Sequence, residues 1–157
     1  FRVKESEIIL SKIASIDNKS FVVLGDFNSH SPFDGDMDLA NPEFLERIRM
    51  SDLSNKTSNN LLDSKFDYSV MSSFMSYPLI DVTQRFVGSQ NRFTFPAEVL
   101  LKNYTSRELL RKNRRRIDFI MASRELAKKC INSSVHNDKK TGLLSDHYPV
   151  VAEFKLN

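Results

Sequence analysis

The chain has 157 residues, enough for one domain with a real core, and its 40% hydrophobic and 27% charged content is ordinary for a globular protein. A net charge of +3 is too small to argue for nucleic acid by itself, because non-specific binding needs clustered cations. No apolar run approaches membrane-spanning length, and the lone cysteine, Cys130, excludes an intrachain disulfide.

Compartment stays open. The chain starts Phe1-Arg2-Val3-Lys4 without Met, which a tag, a truncation or a processed precursor each explains. A removed signal peptide would make the protein secreted or periplasmic. Phe is frequent, at 12 residues, while Trp is absent. The Phe residues read as core filling, with no spacing that marks a base-stacking platform.

In chain order, Val3 to Ile16 reads as an amphipathic helix with Ile9, Ile13 and Ile16 on one face. Asp17 to Ser20 reads as a turn. Phe21-Val22-Val23-Leu24 is a short apolar run, as in a buried strand, ended by Gly25. Asn41-Pro42-Glu43 is a helix start, with Asn as the cap and Pro in the first turn, and this helix should run to about Met50. Ser51 to Asn60 is polar and loop-like. Phe66 to Met75 reads as a short helix stopped by Pro78, and Arg92 to Phe95 as a strand limited by Pro96. Ala97 to Asn113 is ambiguous and can hold a helical turn at Ser106 to Leu110. Ile117 to Met121 reads as a strand, Ser123 as the cap of a helix ending near Cys130, and Ile131 to Val135 as another strand. Val150, Ala152, Phe154 and Leu156 alternate with polar or outward positions, as in a half-buried terminal strand. Helices and strands are intermixed without repeats or a visible domain boundary, so the fold class is α/β or layered α+β.

Three acidic motifs sit at the ends of these strands. In Gly25-Asp26-Phe27-Asn28, Asp26 and Asn28 lie two residues apart, which on an extended segment points both side chains the same way. They could bind a metal, position a water and contact a phosphoryl oxygen, or simply form an Asx turn. In Arg116-Ile117-Asp118-Phe119-Ile120, a carboxylate enters an apolar strand. Burying that charge costs several kcal/mol without a partner, so Asp118 needs an imidazole or an ion pair with Arg115 or Arg116. In Ser145-Asp146-His147-Tyr148-Pro149, a carboxylate adjoins an imidazole before the last strand. With no thiolate pair, this Asp, Asn, Asp and His set favours Mg²⁺ or Mn²⁺ over structural zinc. His30 and His136 read as loop residues rather than ligands. The cluster Arg111, Lys112, Arg114, Arg115 and Arg116 is either a solvated turn or a receiver of polyanions.

The three motifs, in this order, resemble the C-terminal signatures of the endonuclease/exonuclease/phosphatase superfamily. That family includes apurinic-site endonucleases, pancreatic-type deoxyribonucleases, neutral sphingomyelinases, inositol-polyphosphate phosphatases and deadenylases. The resemblance implies a four-layer α/β/β/α sandwich, of which this chain is the C-terminal half, with mostly antiparallel sheets and flanking helices. It implies a metal-dependent phosphoesterase in which water attacks directly. Asp26 would position or deprotonate the water and share the metal with Asp146. Asn28 and His147 would contact the phosphoryl oxygens, Asp118 would orient His147, and Arg115 and Arg116 would bind the substrate. That substrate could be nucleic acid, a phospholipid head group or a sugar phosphate.

The departure is large. The family's earlier half carries an Asn, a metal-binding Glu and a His that no segment here supplies; Glu5 and Glu7 do not match that Glu. The expectation is one incomplete domain over residues 1–157, inactive and weak for metal by itself. It should bear an apolar sheet face that pairs with the missing half or with a second copy. The alternative is a non-catalytic fragment or binding module that keeps the fold without turnover.

Overall fold

The computed structural model describes residues 2–16, 20–54 and 60–156. Helix α1 (Arg2–Ala14) precedes strand β1 (Val22–Asp26). Two short helices follow, α2 (Gly35–Leu39) and the longer α3 (Pro42–Ser54), then a minimal hairpin of β2 (Leu61–Leu62) and β3 (Lys65–Phe66). Helix α4 (Ser69–Ser76) leads into strand β4 (Leu79–Asp81). Helix α5 (Arg107–Lys112), strand β5 (Asp118–Ser123), helix α6 (Arg124–Ala127) and strands β6 (Cys130–Val135) and β7 (Val150–Phe154) complete the chain.

The strands form a three-stranded sheet in the order β1-β5-β4 and two hairpins, β2-β3 and β6-β7, with every pairing antiparallel. Strand β5 shows why the layers form. Successive side chains alternate faces. Phe119 and Met121 join Ile13 of α1 and Val70, Met71 and Phe74 of α4 in one core. Ala122 and the partly buried Ile120 turn to the other side, where Ala152 and Phe154 of β7 pack with Leu126 and Cys130. Helices therefore cover one face of the sheet and the β6-β7 hairpin covers the other. This is the α/β/β portion of a layered sandwich, with antiparallel sheets and flanking helices as expected.

Several sequence expectations shift. On α1 the buried residues are Ser6 and Ile13, while Ile9 is exposed and Ile16 falls beyond the helix. The expected turn falls largely at Asp17, Asn18 and Lys19, which lie outside the described residues. The apolar run at 21–24 is not a buried strand: Val22 is 38% exposed and Leu24 is 64% exposed. The reason is position. β1 ends the β1-β5-β4 order, and its Val22 and Leu24 share the face of Ala122 and Ile120 at a point where β7 gives no full cover.

Helix α3 begins as expected, with the Phe44 amide donating to Asn41 Oδ1 at 3.2 Å, but it runs on to Ser54, so 51–54 are helical and not loop. Phe66 belongs to β3, and the helix expected from it starts at Ser69. Arg92 to Phe95 is no strand; it contributes one isolated bridge, Phe95 to Arg115. Ser106 caps α5 by accepting from the Leu109 amide at 3.1 Å. The helix after Ser123 is a single turn, α6, and Cys130 already starts β6.

Candidate active site

The Gly25-Asp26-Phe27-Asn28 segment turns sharply at the end of β1. Gly25 takes φ 144°, a region that side-chain-bearing residues avoid, and Asn28 takes φ 46°, which Asn tolerates better than most. Phe27 anchors the turn in the core, its ring edge-on to Phe74 at 5.1 Å and to Phe119 at 5.6 Å. Asp26 and Asn28 are left exposed. The Asn28 amide N–H donates to Asp26 Oδ1 at 2.7 Å and its side-chain Nδ2 to Asp26 Oδ2 at 3.0 Å. The Asx turn and the candidate catalytic pair are thus one structure. It is the left-handed backbone at Asn28, and not an extended period of two, that brings the side chains together.

Antiparallel pairing sets Asp26 directly opposite Asp118, the first residue of β5. Asp118 is partly buried and has the imidazole partner its position requires: its Oδ2 lies 2.8 Å from His147 Nδ1. Three sites far apart in sequence therefore meet at one end of the β1-β5 pair. Asp146 is exposed, and Ser145 Oγ donates to its Oδ1 at 3.2 Å.

No motif marks Thr94, which holds these parts in register. Thr94 is fully buried. Its hydroxyl accepts from the amides of Ile117 at 3.1 Å and Asp118 at 3.2 Å, while its carbonyl accepts from the Tyr148 amide at 2.7 Å. One residue thus ties the start of β5 to the loop bearing His147. Ala97 reinforces it, donating its amide to the Asp146 carbonyl at 2.8 Å. Phe95 flanks His147, with ring centroids 4.8 Å apart. No periodicity marks such residues, because their partners are remote in sequence.

The two arginines expected to bind substrate part company. Arg115 stacks on Phe95, its guanidinium carbon 4.5 Å from the ring centroid. Burial pulls its guanidinium below the usual value, with Tyr104 and Asp26 acting in the opposite direction. Arg116 instead points into the interior. It is 5% exposed, pairs with Asp34 at 2.7 Å and Asp81 at 2.8 Å, and lies over the Phe119 ring. Arg92 joins Asp34 at 3.3 Å, closing a buried group of two cations and two carboxylates. The Arg116 guanidinium is buried with its Nε and Nη1 facing carboxylates inside the fold, so its expected role in substrate binding gives way to a structural one. Burial pushes the Asp34 carboxyl up, against the pull of Arg116 and Arg92.

A hard divalent cation is compatible with the donors by type, since Asp26 and Asp146 offer exposed carboxylate oxygens and Cys130 is buried in the second core. Among the described residues, no three His, Cys, Asp or Glu side chains converge as a cage. No helix among them is long and apolar enough to cross a membrane.

No family model matches the chain, and no curated protein does. Solved structures do share its fold. The 3′ phosphatase NExo from Neisseria, bound to a product DNA hairpin, aligns at TM-score 0.65 and 21% identity, over 99% of this chain and 52% of that one. The 3′-5′ exonuclease NExo from Neisseria meningitidis aligns at TM-score 0.60 and 19% identity, again over 99% and 52%. An AP endonuclease from Archaeoglobus fulgidus aligns at TM-score 0.64 and 20% identity, over 98% of this chain and 53% of that one. The chain spans about half the length of these structures. The chain shares the fold of about half of each of these structures.

Proposed function

We propose that residues 1–157 form the C-terminal part of a single phosphoesterase domain that hydrolyses a phosphate ester in nucleic acid by direct attack of water. The observation that carries this reading is the meeting of Asp26 and Asn28 with the Asp118–His147 pair, 2.8 Å apart, at one sheet end. The DNA hairpin bound by the similar Neisseria phosphatase favours nucleic acid over a lipid head group or sugar phosphate.

In this reading Asp26 accepts the proton of the attacking water. Asn28 has two side-chain N–H donors; one holds Asp26 and the other is available to a phosphoryl oxygen. Asp118 engages His147 at Nδ1 and fixes the ring, which leaves Nε2 to face the phosphoryl group. Asp146 and Asp26 would hold a divalent cation such as Mg²⁺ or Mn²⁺, which when bound supplies neutralisation of charge on the phosphoryl and leaving-group oxygens. Two carboxylates form a small part of a six-oxygen shell, so this chain alone should bind the cation weakly and turn over little.

The open β1 edge fits an incomplete domain. Val22 and Leu24 lie on the strand that ends the sheet, where the missing half or a second copy would pack. Light scattering should show self-association of the chain, and Leu24→Lys should reduce it; a monodisperse monomer for the unmodified chain would remove this part of the proposal. A non-catalytic binding module is the second reading, favoured by the lack of a three-ligand cage among the described residues. The deciding assay uses a longer form that restores both sheets. It is offered a 3′-phosphorylated oligonucleotide, abasic DNA and sphingomyelin, with and without Mg²⁺. Hydrolysis of a nucleic-acid ester that is lost on chelation supports the enzyme. No turnover of any substrate with Mg²⁺ or Mn²⁺ leaves the binding module.

A further inference from the structure

A cleft of about 630 Å³ opens beside the site, between the start of α3 and the Arg111–Arg116 segment. A smaller pocket next to it, lined in part by Asn28, shares His30, Phe44 and Arg115 with it, so the cleft runs toward the catalytic turn. Its acids are already engaged. Asp34 meets Arg92 and Arg116, Asp38 meets His30 at 3.1 Å and Tyr68 at 3.0 Å, and Glu43 meets Lys112 at 3.0 Å.

Its cations are not all engaged. Arg111 is exposed and makes no ion pair among the described residues, and Arg115 donates Nη1 to the Asn113 carbonyl at 3.0 Å but has no carboxylate within 4.0 Å among them, Asp26 acting on it only from farther off. Arg114 reaches Glu98 only at 3.8 Å, and its Nε is buried without a hydrogen-bond partner. Two of the guanidiniums also sit over aromatic rings. Arg114 lies over the Phe93 ring at 4.2 Å, and Arg115 lies over Phe95 at 4.5 Å and Phe44 at 5.3 Å. A guanidinium stacked on an aromatic ring has lost much of its freedom before a ligand arrives. Its outer face can stack a base, and its edge can bind a phosphate with two donors.

We propose that this cleft takes an unpaired nucleotide of a single-stranded nucleic acid, adjoining the ester held at the Asp118–His147 site. The ligand combines a π-face with an anionic phosphate, which is what stacked guanidiniums above Phe93 and Phe44 can receive. A duplex keeps its base faces stacked internally and cannot offer them to a concave site. The proposal rests on the phosphoesterase reading only for where the scissile ester lies. The aromatic platform is assembled by the fold, from Phe44 on α3 and Phe93 some fifty residues on.

The test is fluorescence anisotropy of a labelled single-stranded oligonucleotide of about ten nucleotides, titrated with the full chain over a range of salt. Arg111→Gln should weaken binding and lower the salt slope by about one. Arg114→Gln should weaken it about five- to hundredfold, the range for loss of one stacked base. Lys155→Gln, at an exposed position just past the C-terminal end of β7, serves as the control and should bind as the unmodified chain. All titrations are run in the presence of a chelator, so strand binding is judged separately from metal-dependent hydrolysis. Absence of binding, equal affinity for the matching duplex, displacement by inorganic polyphosphate as effective as by unlabelled strand, or no effect of Arg111→Gln and Arg114→Gln would each overturn the proposal.

Discussion

Replacing Arg116 by Met should cost the fold, not the substrate. Its guanidinium lies 2.7 Å from Asp34 and 2.8 Å from Asp81, and Asp81 is only 2% exposed. After the substitution Asp34 still has Arg92 at 3.3 Å, whereas Asp81 loses its cation and keeps, among the described residues, only the Gln84 amide at 3.2 Å. Removing one partner of a buried pair strands a charge and costs about 3–5 kcal/mol. Domains have only about 5–15 kcal/mol of net stability, so the change is severe. With a urea slope of about 2 kcal/mol per molar, the unfolding midpoint should fall by about 1.5–2.5 M. The second variant, Arg116→Met with Asp81→Asn, removes the stranded charge while leaving an acceptor for Gln84, and should recover at least half of the loss. Equilibrium urea unfolding followed by circular dichroism reads both. A loss below about 1 kcal/mol for Arg116→Met, smaller than the 3–5 kcal/mol a stranded buried charge demands, would refute the structural assignment. So would a large loss of substrate binding at unchanged stability.

Thr94→Val keeps the shape but removes the oxygen that accepts from Ile117 and Asp118, so about 1–3 kcal/mol should be lost, and the His147 ring resonances in NMR should broaden or shift as its tie to Asp118 loosens. Unchanged resonances would deny Thr94 its positioning role. Asn28→Ala in the complete domain should lower turnover about 10²–10³-fold. It should also cost about 1–2 kcal/mol for a non-Gly residue at φ 46°; Asn28→Gly should lose the same activity without that strain, and equal activity in either would remove Asn28 from the site. The Asp138 carboxyl is held below its usual value by backbone hydrogen bonds from Thr141 and Lys140. A depressed carboxyl stabilises the folded loop above the unfolded value of 3.8, and that contribution is lost as pH falls through the lower folded value. Hydrogen exchange at the Lys140 and Thr141 amides should therefore lose protection relative to neighbouring amides only in strong acid. Loss near neutrality would contradict this.

Local chemistry made much of the fold legible. Asn41 and Ser106 announce helix starts because a cap bonds within its own turn. The alternation at Val150, Ala152 and Phe154 reports a strand with one covered face, and Ala152 and Phe154 do pack inward. Other elements had no local signature. Leu79-Ile80-Asp81 is too short after Pro78 to show a period, and β2-β3 has two residues per strand.

The sequence by itself determined which side chains could do chemistry. Asp26, Asn28, Asp118, Asp146 and His147 stand at strand ends, with types suited to a phosphoryl group. Only the tertiary structure decided how neighbouring residues divide their tasks. Arg115 and Arg116 are adjacent and chemically alike, yet one stacks on Phe95 beside the site and the other is sealed against Asp34 and Asp81. Likewise Val22 and Val23 are alike, yet the first is exposed and the second packs on the core. The physical reason is that partners such as Asp81, Thr94 and Phe93 arrive through pairing and packing across long sequence separations. Burial and ion pairing depend on those arrivals, and a single segment cannot encode them alone.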